Sequence, residues 1–67
     1  MTSELKLKIA NFASEWIQKT GRESLTETLQ GYDFVEDCYR DLTNQEQNQL
    51  SKIEFLDLLQ SKVAELF

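Results

Sequence analysis

Asp33, Asp37 and Asp41 recur at every fourth position, with Glu36 and Arg40 beside them. On a helix this spacing sets three carboxylates along one side, a row whose chemistry suits a divalent cation or a basic groove on another protein. A calcium loop is rejected. Counted from Asp41, its sixth and twelfth positions require glycine and glutamate, and the chain has Glu46 and Lys52 there. A solvated helix face accounts for the same carboxylates. The row Asp33, Glu36, Asp37 and Asp41 is therefore read as a candidate partner-binding surface and not as a metal site.

Nucleophilic and metal chemistry find little else to use. The chain has no histidine and a single cysteine, Cys38. An internal disulfide is impossible, and a zinc site has too few ligands. Cys38 sits in an apolar row between Phe34 and Leu42, with Asp37 and Asp41 close in sequence. Burial and anionic neighbours both raise a thiol pKa, so Cys38 reads as a small core hydrophobe rather than a nucleophile. Any general base would be a carboxylate, lysine, tyrosine or thiol with a shifted pKa, and so short a chain has little room for a pocket that excludes water. Neither enzymatic activity nor a cofactor is expected.

Gly21-Arg22-Glu23-Ser24-Leu25 resembles the Gly-x-Asp-Ser-Leu stretch of acyl carrier proteins, with Glu23 in the place of the aspartate. In that family the serine stands at a helix N-terminus and carries phosphopantetheine. The resemblance spans five residues and implies a helical acyl or peptidyl carrier modified at Ser24. The other reading of Ser24 is a helix cap with no modification.

Charge narrows the class of partner. The net charge is -5, unevenly divided: residues 1 to 22 hold four cations and two acids, which gives +2, and residues 23 to 67 hold three cations and ten acids, which gives -7. An acidic body repels phosphate, so direct nucleic-acid binding is not expected. A protein with a basic surface is the better complement, and self-association would help so small a domain. No apolar run approaches the roughly 20 residues that span a bilayer, and the N-terminus lacks the pattern of a signal peptide. A cytoplasmic protein without membrane contact is expected.

The elements that position these residues are announced by three [Ser/Thr]-x-x-Glu boxes, at Ser24 to Glu27, Thr43 to Glu46 and Ser51 to Glu54. In such a box the hydroxyl accepts the N–H three residues on while the glutamate reaches back to the cap N–H. Leu5, Ile9, Phe12 and Trp16 form one stripe of a first helix over about residues 3 to 19, with Thr2 or Ser3 as cap and Gly21 as a left-handed stop. Leu7 points off the stripe and reads as a lone exposed leucine.

Leu25, Leu29 and Tyr32, continued by Val35, Tyr39 and Leu42, predict a second helix over about residues 25 to 41, opened by Ser24. Gly31 predicts a kink or break in it, because a glycine inside a helix costs on the order of 1 kcal/mol. Residues 43 to 49 contain no apolar side chain and have two readings: the exposed start of a long last helix from about residue 44, or a polar loop. The Ser51 box, with Leu50 and Phe55 placed as a hydrophobic staple, predicts a helix over about residues 51 to 66. Ile53, Phe55, Leu56, Leu59, Val63, Leu66 and Phe67 cover more than half its circumference. That helix is either the most buried of the chain or one with a second face for a partner. No strand is expected. The whole predicts an all-α single domain, a small bundle of three principal helices acting as a non-catalytic protein-binding or regulatory module.

Overall fold

The computed structural model describes residues 2–21 and 24–66. Arg22, Glu23 and Phe67, together with Met1, lie outside the described residues. The fold is all-α, with α1 at Ser3–Thr20, α2 at Leu29–Arg40, α3 at Asn44–Gln49 and α4 at Lys52–Glu65. Three of these are long and one is a short turn and a half, with no strand among the described residues.

Helix α1 starts where the Thr2 hydroxyl accepts the N–H of Leu5 at 3.2 Å. It stops at Gly21, whose φ of 76° is the conformation glycine adopts without a Cβ penalty. Its buried face is Leu5, Ile9, Ala13 and Trp16, the predicted stripe except that Ala13 takes the fully buried place and Phe12 packs partly buried against the core. That face packs chiefly on α4, which contributes Phe55, Leu59 and Val63. Leu25, Phe34, Val35, Cys38, Leu42 and Leu50 close the core from the other side. Aromatic rings interlock at its centre: Trp16 lies 5.1 Å from Phe34, Phe55 lies 5.5 Å from Tyr39, and Phe12 meets Phe55 edge to face at 6.2 Å.

The start of α2 differs from the sequence expectation. Ser24 does not cap it, and residues 25–27 form a turn. Thr28 is the N-cap, with its hydroxyl accepting the N–H of Gly31 at 3.1 Å. The break therefore falls before Gly31, and α2 then runs unbroken through the glycine. The reason is steric. A Cβ at Gly31 would lie 2.2 Å from the Leu25 carbonyl oxygen, so glycine is what lets the incoming chain cross the first turn of α2 and bury Leu25 completely. The same shift moves Leu29 and Tyr32 out of the core stripe and leaves them exposed.

Residues 43–51 resolve into a short capped helix followed by a second start. Both capping boxes are complete: Thr43 with Glu46, and Ser51 with Glu54. Between them Leu50 is extended, at φ -144° and ψ 114°, and buries its side chain. One long helix from residue 44 is thereby excluded. The polar α3 is held by its polar groups. Lys8 Nζ reaches Glu46 Oε1 at 2.7 Å, Gln47 Nε2 donates to the Tyr39 carbonyl at 2.8 Å, and the Tyr39 hydroxyl donates to the Leu50 carbonyl at 2.7 Å. No buried side-chain nitrogen or oxygen among the described residues lacks a hydrogen-bond partner.

Candidate functional site

Helical geometry of about 100° per residue divides the four candidate carboxylates between two flanks of α2. Asp33, Asp37 and Asp41 follow one another along the flank nearer α1, and all three are exposed. Asp33 and Asp37 border a cleft there with Trp16, Lys19, Gln30 and Phe34, where Lys19 Nζ lies 5.6 Å from the centre of the Phe34 ring. Arg40 interrupts the row, its guanidinium 3.6 Å from Asp37 and 3.2 Å from Glu36. Asp41 is the C-cap of α2, where a carboxylate opposes the helix dipole.

Glu36 belongs to the other flank, against α4. Lys52, from the first turn of α4, stands 3.5 Å from it. The Lys52 ammonium, and then the hydrogen bond from Arg40, hold the Glu36 carboxyl below the usual carboxylate range. This flank opens into a groove of about 190 Å³ between Tyr32, Val35 and Glu36 of α2 and Lys52, Ile53 and Leu56 of α4. Apart from Glu36 and Lys52 its lining is apolar or aromatic, with Ile53 75% and Tyr32 49% exposed; Leu29, one turn before Tyr32 on α2, is 83% exposed. The broad apolar surface of α4 thus has two faces, one buried through Phe55, Leu59 and Val63 and one facing solvent at Ile53. Leu7 is exposed as its spacing predicts, at a position away from this groove.

Sequence reasoning placed Leu29 and Tyr32 in the core because they continue Leu25 at helical spacing. The signal that could have separated them is the row Phe34, Cys38 and Leu42. With that row as the centre of the buried face, Leu29 and Tyr32 fall well off it.

The remaining chemistry-bearing residues are engaged in structure. Cys38 is buried, and burial, followed by the charges of Glu15, Asp41 and Asp37, pushes its thiol up to about 12. Ser24 precedes a turn, four residues ahead of the cap of α2. Its hydroxyl accepts from Gln60 Nε2 at 3.1 Å, and the side-chain Oε1 of Gln60 accepts the N–H of Leu25 at 3.1 Å. Gln60 thus pins this turn to α4, a role that a lone glutamine within an amphipathic pattern does not announce. The helix-capping serine implied by the carrier resemblance is not the geometry of Ser24. Among the described residues no three His, Cys, Asp or Glu side chains gather as metal ligands, and no helix is long and apolar enough to cross a membrane. No protein family, no curated protein and no solved structure matches this chain.

Proposed function

We propose that this chain is a small acidic, non-catalytic protein-binding or regulatory module, and that it docks through the outer surface of α2 and the groove between α2 and α4. The observation that carries the reading is the exposure of Tyr32 and Ile53 on the two sides of that groove, with Leu29 exposed one turn before Tyr32 on α2. Scattered single apolar residues are ordinary on a protein surface, whereas several gathered at one groove mark an interaction site. Among the described residues the core is already built from thirteen buried apolar side chains without them.

The carboxylates Asp33, Asp37 and Asp41 on one flank and Glu36 on the other would favour a partner with a basic surface. The acidic row contributes nothing to the core. Asp41 even stands at the end of α2 where its charge is unfavourable, which is more readily understood if the charge serves an encounter. Acids of this kind speed association and lend it salt dependence more than they add affinity.

The test is a double variant, Leu29→Ser with Ile53→Ser, compared with the wild type in quantitative affinity capture from native lysate. Both positions are exposed, so circular dichroism and thermal unfolding should be nearly unchanged. The reading expects specific partners to be lost from the variant. Equal capture by the two proteins would refute it.

A further inference from the structure

The groove between α2 and α4 is complementary to itself. Its α2 wall carries one anion, Glu36, and the aromatic Tyr32; its α4 wall carries one cation, Lys52, and the aliphatic Ile53 and Leu56. Glu36 and Lys52 face each other 3.5 Å apart at the groove edge, with side chains 45% and 53% exposed. A two-fold axis over the groove would lay the α2 wall of one copy on the α4 wall of the other. Tyr32 then meets the second copy's Ile53, and Glu36 meets its Lys52, twice over by symmetry. This is the requirement of an isologous interface, in which one patch must complement itself.

We propose that the occupant of this groove is a second copy of the same chain, paired isologously through Tyr32, Glu36, Lys52, Ile53 and Leu56. The proposal rests on the protein-binding reading and names its first partner. A strongly basic helix suits this groove less well, because it brings no acid to face Lys52, whereas a second copy brings Glu36 to Lys52 and Lys52 to Glu36. The charge left over lies on the opposite flank of α2, at Asp33, Asp37 and Asp41. Pairing through the groove leaves that flank open in both copies, so the dimer presents two acidic rows to a basic partner. The net charge of -5 repels a second copy at long range, and physiological salt screens that repulsion over about 8 Å.

Sedimentation equilibrium and light scattering on the full chain at physiological salt test the pairing. The wild type should pass from monomer to dimer with a Kd on the order of 10 µM, as befits a small interface. Ile53→Asp should remain monomeric while keeping its helicity, since residue 53 is exposed in the first turn of α4, where an acid is well placed. Glu36→Lys alone and Lys52→Glu alone should each weaken pairing by about tenfold or more, by setting like charges across the interface.

The decisive sample is a one-to-one mixture of those two single variants. Each interface contact in the mixed dimer again joins opposite charges, so dimer should return, although the internal 36–52 pair stays broken in both chains. A wild type that is monomeric up to about 1 mM, a dimer indifferent to Ile53→Asp, or a mixture that does not recover would each overturn the proposal. A monomeric wild type whose partner capture still depends on Leu29 and Ile53 would overturn the pairing alone. Equal capture by wild type and the Leu29/Ile53 double variant would instead count against the docking of other proteins at this groove.

Discussion

Lys8 Nζ and Glu46 Oε1 lie 2.7 Å apart and join α1 to α3, two elements with no apolar reason to meet. The same oxygen accepts the N–H of Thr43 at 2.9 Å, so one carboxylate both closes a capping box and anchors the helix it caps. Glu46 is the one buried charged residue among the described residues. The hydrogen bond from Lys8, then that from the Thr43 backbone, holds its carboxyl below the usual range.

A depressed folded-state pKa stabilises the fold at pH values above the unfolded pKa, and the contribution is lost as pH falls through the folded value. For Glu46 that loss begins near the ordinary value of 4.5 and continues below it. Glu46→Gln keeps a capping side chain and removes the charge. Urea unfolding as a function of pH should show the variant less stable than wild type at pH 7, with the difference shrinking on acidification. Some acid sensitivity should remain in the variant, because Glu36 and Glu54 are also held low.

Gly31→Ala inverts the usual expectation for a glycine in a helix. Propensity alone favours alanine by about 1 kcal/mol. The added Cβ, however, would sit 2.2 Å from the Leu25 carbonyl oxygen and 2.8 Å from its Cα, and backbone cannot yield as a side-chain tip does. Overpacking of this kind costs about 1 to 3 kcal/mol, and more where the backbone must move. The expected result is net destabilisation in chemical denaturation, and a more stable variant would mean that Leu25 does not cross α2 there.

Ser51→Ala should destabilise the protein by about 1 kcal/mol, the usual cost of losing a cap. The Ser51 hydroxyl accepts the N–H of Glu54, and Glu54 returns the bond to the N–H of Ser51, each at 3.2 Å. A neutral or stabilising effect in thermal unfolding would indicate a continuous helix through residue 51.

Trp16→Ala should cost about 3 to 5 kcal/mol, comparable with the whole stability of a small domain. The ring is completely buried and stacked at a tilt on Phe34. Loss of cooperative thermal unfolding is the expected readout.

Cys38 should resist alkylation by iodoacetamide at pH 8 in the native protein and react readily in denaturant. Its thiol, with a folded-state pKa of about 12 against an ordinary 9.0, stays protonated at that pH. A raised pKa also means that stability is full below the unfolded value and declines as pH rises from about 9 towards 12. Cys38→Ala should remove that part of the alkaline decline.

Local rules make α1, the last helix and their shared core legible in the sequence alone. Leu5, Ile9 and Trp16 are spaced by the helix repeat, and Thr2, Ser51 and Gly21 act through atoms within four residues of themselves. Interactions of so short a range are written into the order of the residues. The all-α class follows from them, because each element needs only its own neighbours to begin and end. The acidic row was legible for the same reason, as a spacing of four along one helix.

What the tertiary structure decided depends on pairs far apart in sequence. Thr28 rather than Ser24 starts α2 because the chain must first bury Leu25 against the helix it is about to enter, which only the missing Cβ of Gly31 permits. Ser24 is drawn away by Gln60, 36 residues later. The polar segment 43–49 is ordered by Lys8, 38 residues before Glu46, and no pattern inside the segment encodes that. The groove follows from the same displacement of α2. Turning its buried face onto Phe34 and Cys38 set Leu29 and Tyr32 outside, with Tyr32 across the groove from Ile53, and the side of a helix that faces solvent is fixed only by what packs against its other side.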